Sequence, residues 1–293
     1  MAKAKGVKII SATYGNKDVK DIVNNQIKNE TLFIKASNSL FGDPNLGVVK
    51  HLNLTVDIDG VVKDYSIREG GMLKLPESNV DRLGIFYSNN HDKTIYPCIK
   101  KSLETIERAA LGKADIHTNM WQREPDNPFT ETIAWTRTSS HLNQVLQILQ
   151  LLYTAEAIKD YKYVSFLEHD VLYPEGYFEY PDFEDGCVSN MNYIGLNKSG
   201  FQKKTANHQP LSQVTMLFEY AIKHFESILP NAVLNNSGLL EPQVKIKKWD
   251  CVNPAVHVNH GKHFTSHYSI YSKETSPENE YWKSYERYLN LFF

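Results

Sequence analysis

Glu168, His169 and Asp170 close a run of apolar and β-forming residues, Tyr163-Val164-Ser165-Phe166-Leu167, and Val171-Leu172-Tyr173-Pro174 follows at once. The run predicts a short buried strand with a carboxylate-bearing tip. Carboxylates two residues apart leave a pleated strand on the same side. Two such oxygen donors suit a divalent cation whose other positions are filled by phosphates. The plain alternative is an acidic turn facing water, where most acids lie. Acids embedded between apolar segments must be paired or metal-bound to avoid a large desolvation cost, so the metal reading is preferred.

A second cluster lies near the C-terminus. Four of the eleven histidines, His257, His260, His263 and His267, fall within residues 257–267. Histidine binds metals and phosphates. His257 or His260 could complete an open metal site with the acids. His260-Gly261-Lys262-His263 reads as a tight loop able to close over a diphosphate, with Lys262 offsetting the charge of the leaving group. Part of the cluster would equally suit a histidine-rich surface loop. A third segment, Ser88-Asn89-Asn90-His91, follows the strand expected at Arg82–Tyr87. Loops at strand C-termini in open α/β sheets face the ligand crevice. Neither G-x-G-x-x-G nor a P-loop is present, which removes those nucleotide modes. Taken alone, Asn-Asn is better read as a turn. Glu241, beside Pro242, has the residue type of a catalytic base, but without geometry its sequence setting argues against that role.

Residues 81–272 must position these groups. Strands are expected at Arg82–Tyr87, Ala114–Met120, Tyr163–Glu168 and Val188–Leu196. Helices are expected at Ile95–Ala110, His141–Ile158 and Leu211–Leu229, and Val244–Val258 reads as irregular and partly extended. Alternating strands and helices predict an α/β fold around a parallel sheet. Residues 1–77 read as a separate small all-β domain, with Asp59-Gly60 as a hairpin turn, followed by an α/β domain over 78–293. The 293 residues suffice for both.

A net charge of −2 excludes a global polyanion-binding field. Lys198–Lys204 and Lys245–Lys248 are local basic clusters, each more often a solvated face than a nucleic-acid contact. The aromatic stretch Tyr173–Tyr180 reads either as a sugar-stacking lid or as a packed loop. Cys98, Cys187 and Cys251 are distant and odd in number, which points away from a disulfide framework. No apolar leader or membrane-spanning run is visible, so a cytoplasmic location is expected.

Residues 81–272 resemble nucleotide-sugar-dependent glycosyltransferases of the GT-A fold. The resemblance rests on Tyr87-Ser88-Asn89-Asn90, on Phe166-Leu167-Glu168-His169-Asp170-Val171-Leu172-Tyr173-Pro174, and on Pro254, His257, His260-Gly261 and Phe264-Thr265. It implies a mixed, mainly parallel sheet with flanking helices. It also implies Mn²⁺ or Mg²⁺ at the acidic motif, gripping the diphosphate of a UDP- or GDP-sugar donor. Asp170 then matches the principal metal ligand. Glu168 matches the first acid, which contacts ribose or metal-bound water. His257 or His260 matches the late ligand, and Ser88 and Asn89, with Tyr87, match the uridine-contacting loop. The motif here is Glu-His-Asp where the family has Asp-x-Asp.

Asn38–Lys50 resembles a small β domain appended to unrelated proteins, including some J-domain co-chaperones, which implies a module that binds a partner or the acceptor. The Lys-, Asn- and Tyr-rich composition is similar to that of large tailed bacteriophages. Some of these encode transferases that place glucose or arabinose on hydroxymethylated cytosine in DNA, and such a base would be flipped out to react. The acceptors weighed are therefore hydroxymethylated DNA first, and cell-surface glycan or protein second. The rival of another class is a non-catalytic nucleotide- or partner-binding protein.

Overall fold

The computed structural model describes residues 6–28, 30–75, 80–88, 95–121, 127–136, 138, 140–205, 208–237, 240–242, 244, 246–259 and 270–292. It divides into two compact units, Met1–Asn79 with Thr154–Asp160, and Val80–Tyr153 with Tyr161–Phe293.

The N-terminal unit contains β1 (Val7–Tyr14), β2 (Lys17–Asp18), α1 (Lys20–Asn24), β3 (Ile27–Lys28), β4 (Thr31–Lys35), α2 (Asn38–Phe41), β5 (His51–Ile58), β6 (Val61–Arg68) and β7 (Met72–Leu75). Its sheets run β2-β1-β5-β6 and β3-β4-β7. Two short helices interrupt what the sequence suggested would be all β. A bulge between Ile9 and Ser11 shifts the register of β1 against β5. One extra residue flips the phase of a strand, so Val7 and Ile9 are buried before it and Ala12 and Tyr14 after it. Asp59 (φ 57°) and Gly60 (φ 89°) form the expected hairpin turn, with Ile58 paired to Val61. Positive φ at both positions matches the twist of the flanking strands.

The segment Asn38–Lys50 is part of the framework of this unit. Tyr14 Oη donates to Asn38 Oδ1 at 2.9 Å, and Lys17 Nζ donates to the Phe41 carbonyl at 2.6 Å. Buried Lys50 lies 2.7 Å from Asp43 and 3.5 Å from Glu69.

Along the rest of the chain run β8 (Arg82–Tyr87), α3 (Tyr96–Ala110), β9 (Asp115–Met120), β10 (Thr130–Ile133), α4 (His141–Glu156), β11 (Tyr163–Glu168), β12 (Val171–Leu172), β13 (Cys187–Asn190), β14 (Tyr193–Asn197), β15 (Gly200–Lys204), β16 (Val214–Leu217), α5 (Phe218–Asn235), β17 (Lys247–Trp249), β18 (Ala255–Val258), β19 (Tyr271–Ser276) and α6 (Glu286–Phe292). The fold is a mixed α/β arrangement with several sheets. The largest has seven strands in the order β10-β9-β8-β11-β16-β13-β17. Every neighbouring pair in it is parallel except the two made by β16, which is antiparallel to β11 and β13. A second sheet runs β12-β18-β14-β15-β19.

Successive residues of β11 face opposite sides of the large sheet. Leu167 packs in one core with Phe86, Ile116 and the α3 residues Ile99, Leu103 and Ile106. Phe166 meets Phe225 of α5, ring centroids 5.3 Å apart. Burial on both faces accounts for the continuous apolar reading of β8 and β11. Gly84 sits where this packing is tightest. A Cβ there would lie 2.5 Å from Ile116 Cδ1, 2.9 Å from Leu167 Cδ1 and 3.2 Å from Phe178 Cζ. Gly84→Ala is therefore expected to destabilise the chain by about 1–3 kcal/mol through overpacking, read as a lower midpoint in urea denaturation. An unchanged midpoint would mean that the β8–α3 layer is looser than described.

Two sequence expectations change. Leu211–Leu229 is not one helix: a 3₁₀ turn at Leu211–Gln213 and strand β16 precede α5. Val214, Thr215 and Met216 are buried, and β16 fills the slot between β11 and β13, so sheet pairing wins over the local helical pattern. Helix α5 also continues past Pro230 to Asn235. Val188–Leu196 is likewise split into β13 and β14, which belong to different sheets.

Candidate functional site

The chain leaves β8 toward β9 on one side and returns to pair β11 on the other. At such a reversal the crossovers diverge, and a crevice opens beyond the strand C-termini. The residues bordering it are Tyr87, the last of β8, and Glu168, the last of β11, which are register partners. Tyr87 Oη donates to Glu168 Oε1 at 3.1 Å. The crevice is thus bordered by residues that the sequence singled out.

The backbone of the acidic turn is held from several directions. Ser102 Oγ of α3 reaches the carbonyls of Glu168 (3.2 Å) and Val171 (2.6 Å). The Glu168 amide donates to Tyr173 Oη at 2.9 Å, and the Tyr173 amide donates to Thr105 Oγ1 at 3.1 Å. His169 and Asp170 link β11 of the large sheet to β12 of the second. There, Val171 pairs with His257, and the Val258 amide donates to the Asp170 carbonyl at 2.8 Å. Pairing of β12 with β18 therefore brings the backbone at His257 next to the Asp170 turn, although 86 residues lie between the two in sequence.

His257 is itself oriented. Its Nε2 lies 3.1 Å from Gln213 Nε2, while Gln213 Oε1 accepts from Asn190 Nδ2 at 2.8 Å. The amide nitrogen is a donor, so the imidazole Nε2 accepts and its proton sits on Nδ1. The Tyr193 ring stacks on His257 at 4.9 Å, and Lys204 Nζ lies 4.1 Å from the same Tyr193 ring.

Charge in the crevice is one-sided. Burial raises Glu168 from the ordinary 4.5 to about 8, and the nearby Asp170 and Glu241 carboxylates push the same way, while the Tyr87 hydrogen bond opposes them. Tyr87 is raised well above the usual phenol range by burial and then by Glu168. Glu241 thus lies within electrostatic reach of the acidic motif. It also acts on His141 at the start of α4, which burial lowers and Glu241 partly restores. His141 was not foreseen; a histidine opening an amphipathic helix carries no local sign of a long-range acid.

Further polar groups come from α4. Gln144 is the other side-chain partner of Tyr87. Buried Gln147 donates to the Ser88 carbonyl at 3.0 Å and to the Asn119 carbonyl at 3.4 Å. Ser88 is fully buried. Asn89, His260, Lys262 and His263 lie outside the described residues. The aromatic stretch is not a lid: Tyr173, Tyr177, Phe178 and Tyr180 are each at most 1% exposed, and Tyr177 Oη is bound to the Ser212 carbonyl at 2.8 Å. These rings fill the core under the site. In the basic clusters, Lys204 is partly buried and donates to the Met191 carbonyl at 2.8 Å, whereas Lys247 pairs with Asp185 at 2.6 Å in an exposed ion pair. Lys203, Lys247 and Lys248 are exposed, as the solvated-face reading expects.

The donor set suits a hard divalent ion. Glu168, Asp170 and His257 would offer oxygen and nitrogen donors, and the negative charge around Glu168 favours a cation. Among the described residues, no three His, Cys, Asp or Glu side chains form a ready metal cluster. Mg²⁺-type ions often take only one or two carboxylates and complete their shell with water and phosphate. Coordination by His257 Nε2 would require that atom to exchange the Gln213 amide for the ion.

No protein-family model matches the chain, and no curated protein matches it. Among solved structures, a glycosyltransferase involved in glycosylation of the major capsid of PBCV-1 aligns at 11% identity with a TM-score of 0.36, covering 64% of this chain and 96% of the other. The galactosyltransferase LgtC, in complex with donor and acceptor sugar analogues, aligns at 11% identity with a TM-score of 0.35, covering 72% of this chain and 94% of the other. These neighbours are glycosyltransferases, but the likeness is too slight to assign family, substrate or chemistry. No helix among the described residues is long and apolar enough to cross a membrane.

Proposed function

We propose that this chain is a GT-A-like glycosyltransferase that moves a sugar from a UDP- or GDP-sugar to an acceptor hydroxyl, using Mn²⁺ or Mg²⁺ at Glu168 and Asp170. The observation that supports this most is the pair of carboxylates at the end of β11 and in the turn after it, beside the chain reversal of the sheet, where the Asp170 and Glu241 charges add to burial in raising Glu168 to about 8 and make the local field negative. Such a field disfavours a free anionic ligand and favours a cation that carries one.

Asp170 and Glu168 would hold the ion, with His257 as the adjacent nitrogen donor. A bound divalent ion supplies Lewis-acid stabilisation of the leaving diphosphate. Tyr87 orients Glu168 by its hydrogen bond, and Gln213 fixes the His257 ring. Glu241 is the candidate base: its carboxylate takes the acceptor O–H proton as that oxygen bonds to the anomeric carbon. The anomeric carbon–oxygen bond to the diphosphate breaks, and its electron pair leaves with the diphosphate. In this reading the N-terminal domain is an accessory binding module and the chemistry belongs to residues 78–293.

The decisive experiment is a panel of UDP- and GDP-sugars scored for metal-dependent release of the nucleoside diphosphate. Hydroxymethylated DNA, glycan and protein acceptors are then added to the active donor. One donor should turn over slowly alone and faster with one acceptor class, and both reactions should stop in EDTA. Nucleotide binding without turnover for any donor would favour a non-catalytic binding protein and overturn the proposal.

A further inference from the structure

Away from the crevice, the outer side of α3 and the C-terminal helix α6 enclose a cavity of about 270 Å³. Its wall is aromatic and fixed. The Trp282 indole donates to the Pro254 carbonyl at 2.7 Å, Tyr281 Oη accepts from the Glu175 amide at 3.1 Å, and the Tyr281 and Trp282 rings meet edge to face at 4.9 Å. Its other lining groups include three cations, Lys101, Arg108 and Arg287, and no acid among the described residues lines it. Lys101 pairs with Glu104 at 2.9 Å. Both guanidinium charges act on the hydroxyl of Tyr288, which also lines the cavity.

The geometry points to a binding site for a phosphomonoester carried on a ring-bearing group of about mononucleotide size. Lys101, Arg108 and Arg287 all line this one concavity, where a bound anion would offset their charge. Arginine presents paired donors that match phosphate oxygens, and aromatic faces accept a ring or stack with guanidinium. The volume lies just below the usual range of small-molecule pockets, which suits one phosphate and one or two rings and excludes an extended polymer from its interior. Lys101 and Arg108 are seven residues apart and so share one face of α3, while Ser102 and Thr105 of the same helix hold the acidic turn.

Calorimetric titration of the full chain in EDTA tests this without engaging a metal-dependent donor site. The probes are adenosine monophosphate, ribose 5-phosphate, inorganic phosphate and phosphate-free adenosine. The phosphates with a ring should bind more tightly than inorganic phosphate, and adenosine should not bind. Arg108→Gln with Arg287→Gln should weaken the best probe at least about tenfold, as expected for loss of charge-assisted hydrogen bonds, with an unchanged melting temperature. Lys101→Gln alone should weaken it less, and Asp170→Asn should leave it intact. Failure of every phosphate to bind, or full affinity in the double variant, overturns the assignment. The site is independent of sugar transfer, so either idea can fail alone.

Discussion

Asp170→Asn is expected to lower metal-dependent hydrolysis of the donor sugar by at least about a hundredfold while the protein remains folded. A Lewis acid at a leaving phosphate is worth several kcal/mol, and each 1.4 kcal/mol is about tenfold in rate. Asparagine keeps the shape of the side chain and leaves the carbonyl free to accept from the Val258 amide at 2.8 Å, so β12 and β18 should stay paired. It removes one of the two charges that push Glu168 upward, so the metal-free variant should melt no lower than the parent at pH 8. The informative readout is the combination: thermal stabilisation by Mn²⁺ with UDP disappears, turnover falls, and the melting temperature without ligand is retained. Undiminished turnover in this variant would remove the ion from the acidic turn and the proposed chemistry with it.

The same residues show why part of the site was legible in the sequence. Glu168 and Asp170 announce themselves because apolar residues bracket them, and strand period alone places them at a tip. The Asp59-Gly60 turn is readable because its chemistry is local. His257 was identified by type, but its approach to Asp170 depends on pairing between β12 and β18 across the chain. Gln213 and Gln147 were missed for that reason: nothing near them in sequence signals that one orients an imidazole and the other ties two strand ends. Glu241 had a plausible residue type and no location until its field at Glu168 became visible. Strand β16 was misread because Val214–Leu217 joins α5 without a turn residue, leaving only its buried slot in the sheet to define it.

Glu168→Gln should leave stability unchanged in acid and raise it increasingly as the pH climbs. A folded-state pKa of about 8 against an ordinary 4.5 means that folding favours the protonated carboxyl. Below about 4.5 both folded and unfolded chains hold that proton, and the residue contributes its full stability. Between 4.5 and 8 the unfolded chain gives up the proton while the folded chain keeps it, so stability falls as pH rises. Above 8 the carboxylate is ionised in both states and the cost is complete, at most roughly 5 kcal/mol at about 1.4 kcal/mol per pH unit. Glutamine keeps an oxygen for the Tyr87 hydroxyl and cannot ionise. In EDTA the variant should therefore match the parent near pH 4.5, gain on it through neutrality, and hold a constant advantage above pH 8. A difference in unfolding free energy that stays flat with pH would show that burial and the neighbouring carboxylates do not act on Glu168 as described here. Mn²⁺ with UDP should narrow the advantage, because a cation beside Glu168 supplies the countercharge that only the parent carboxylate can use.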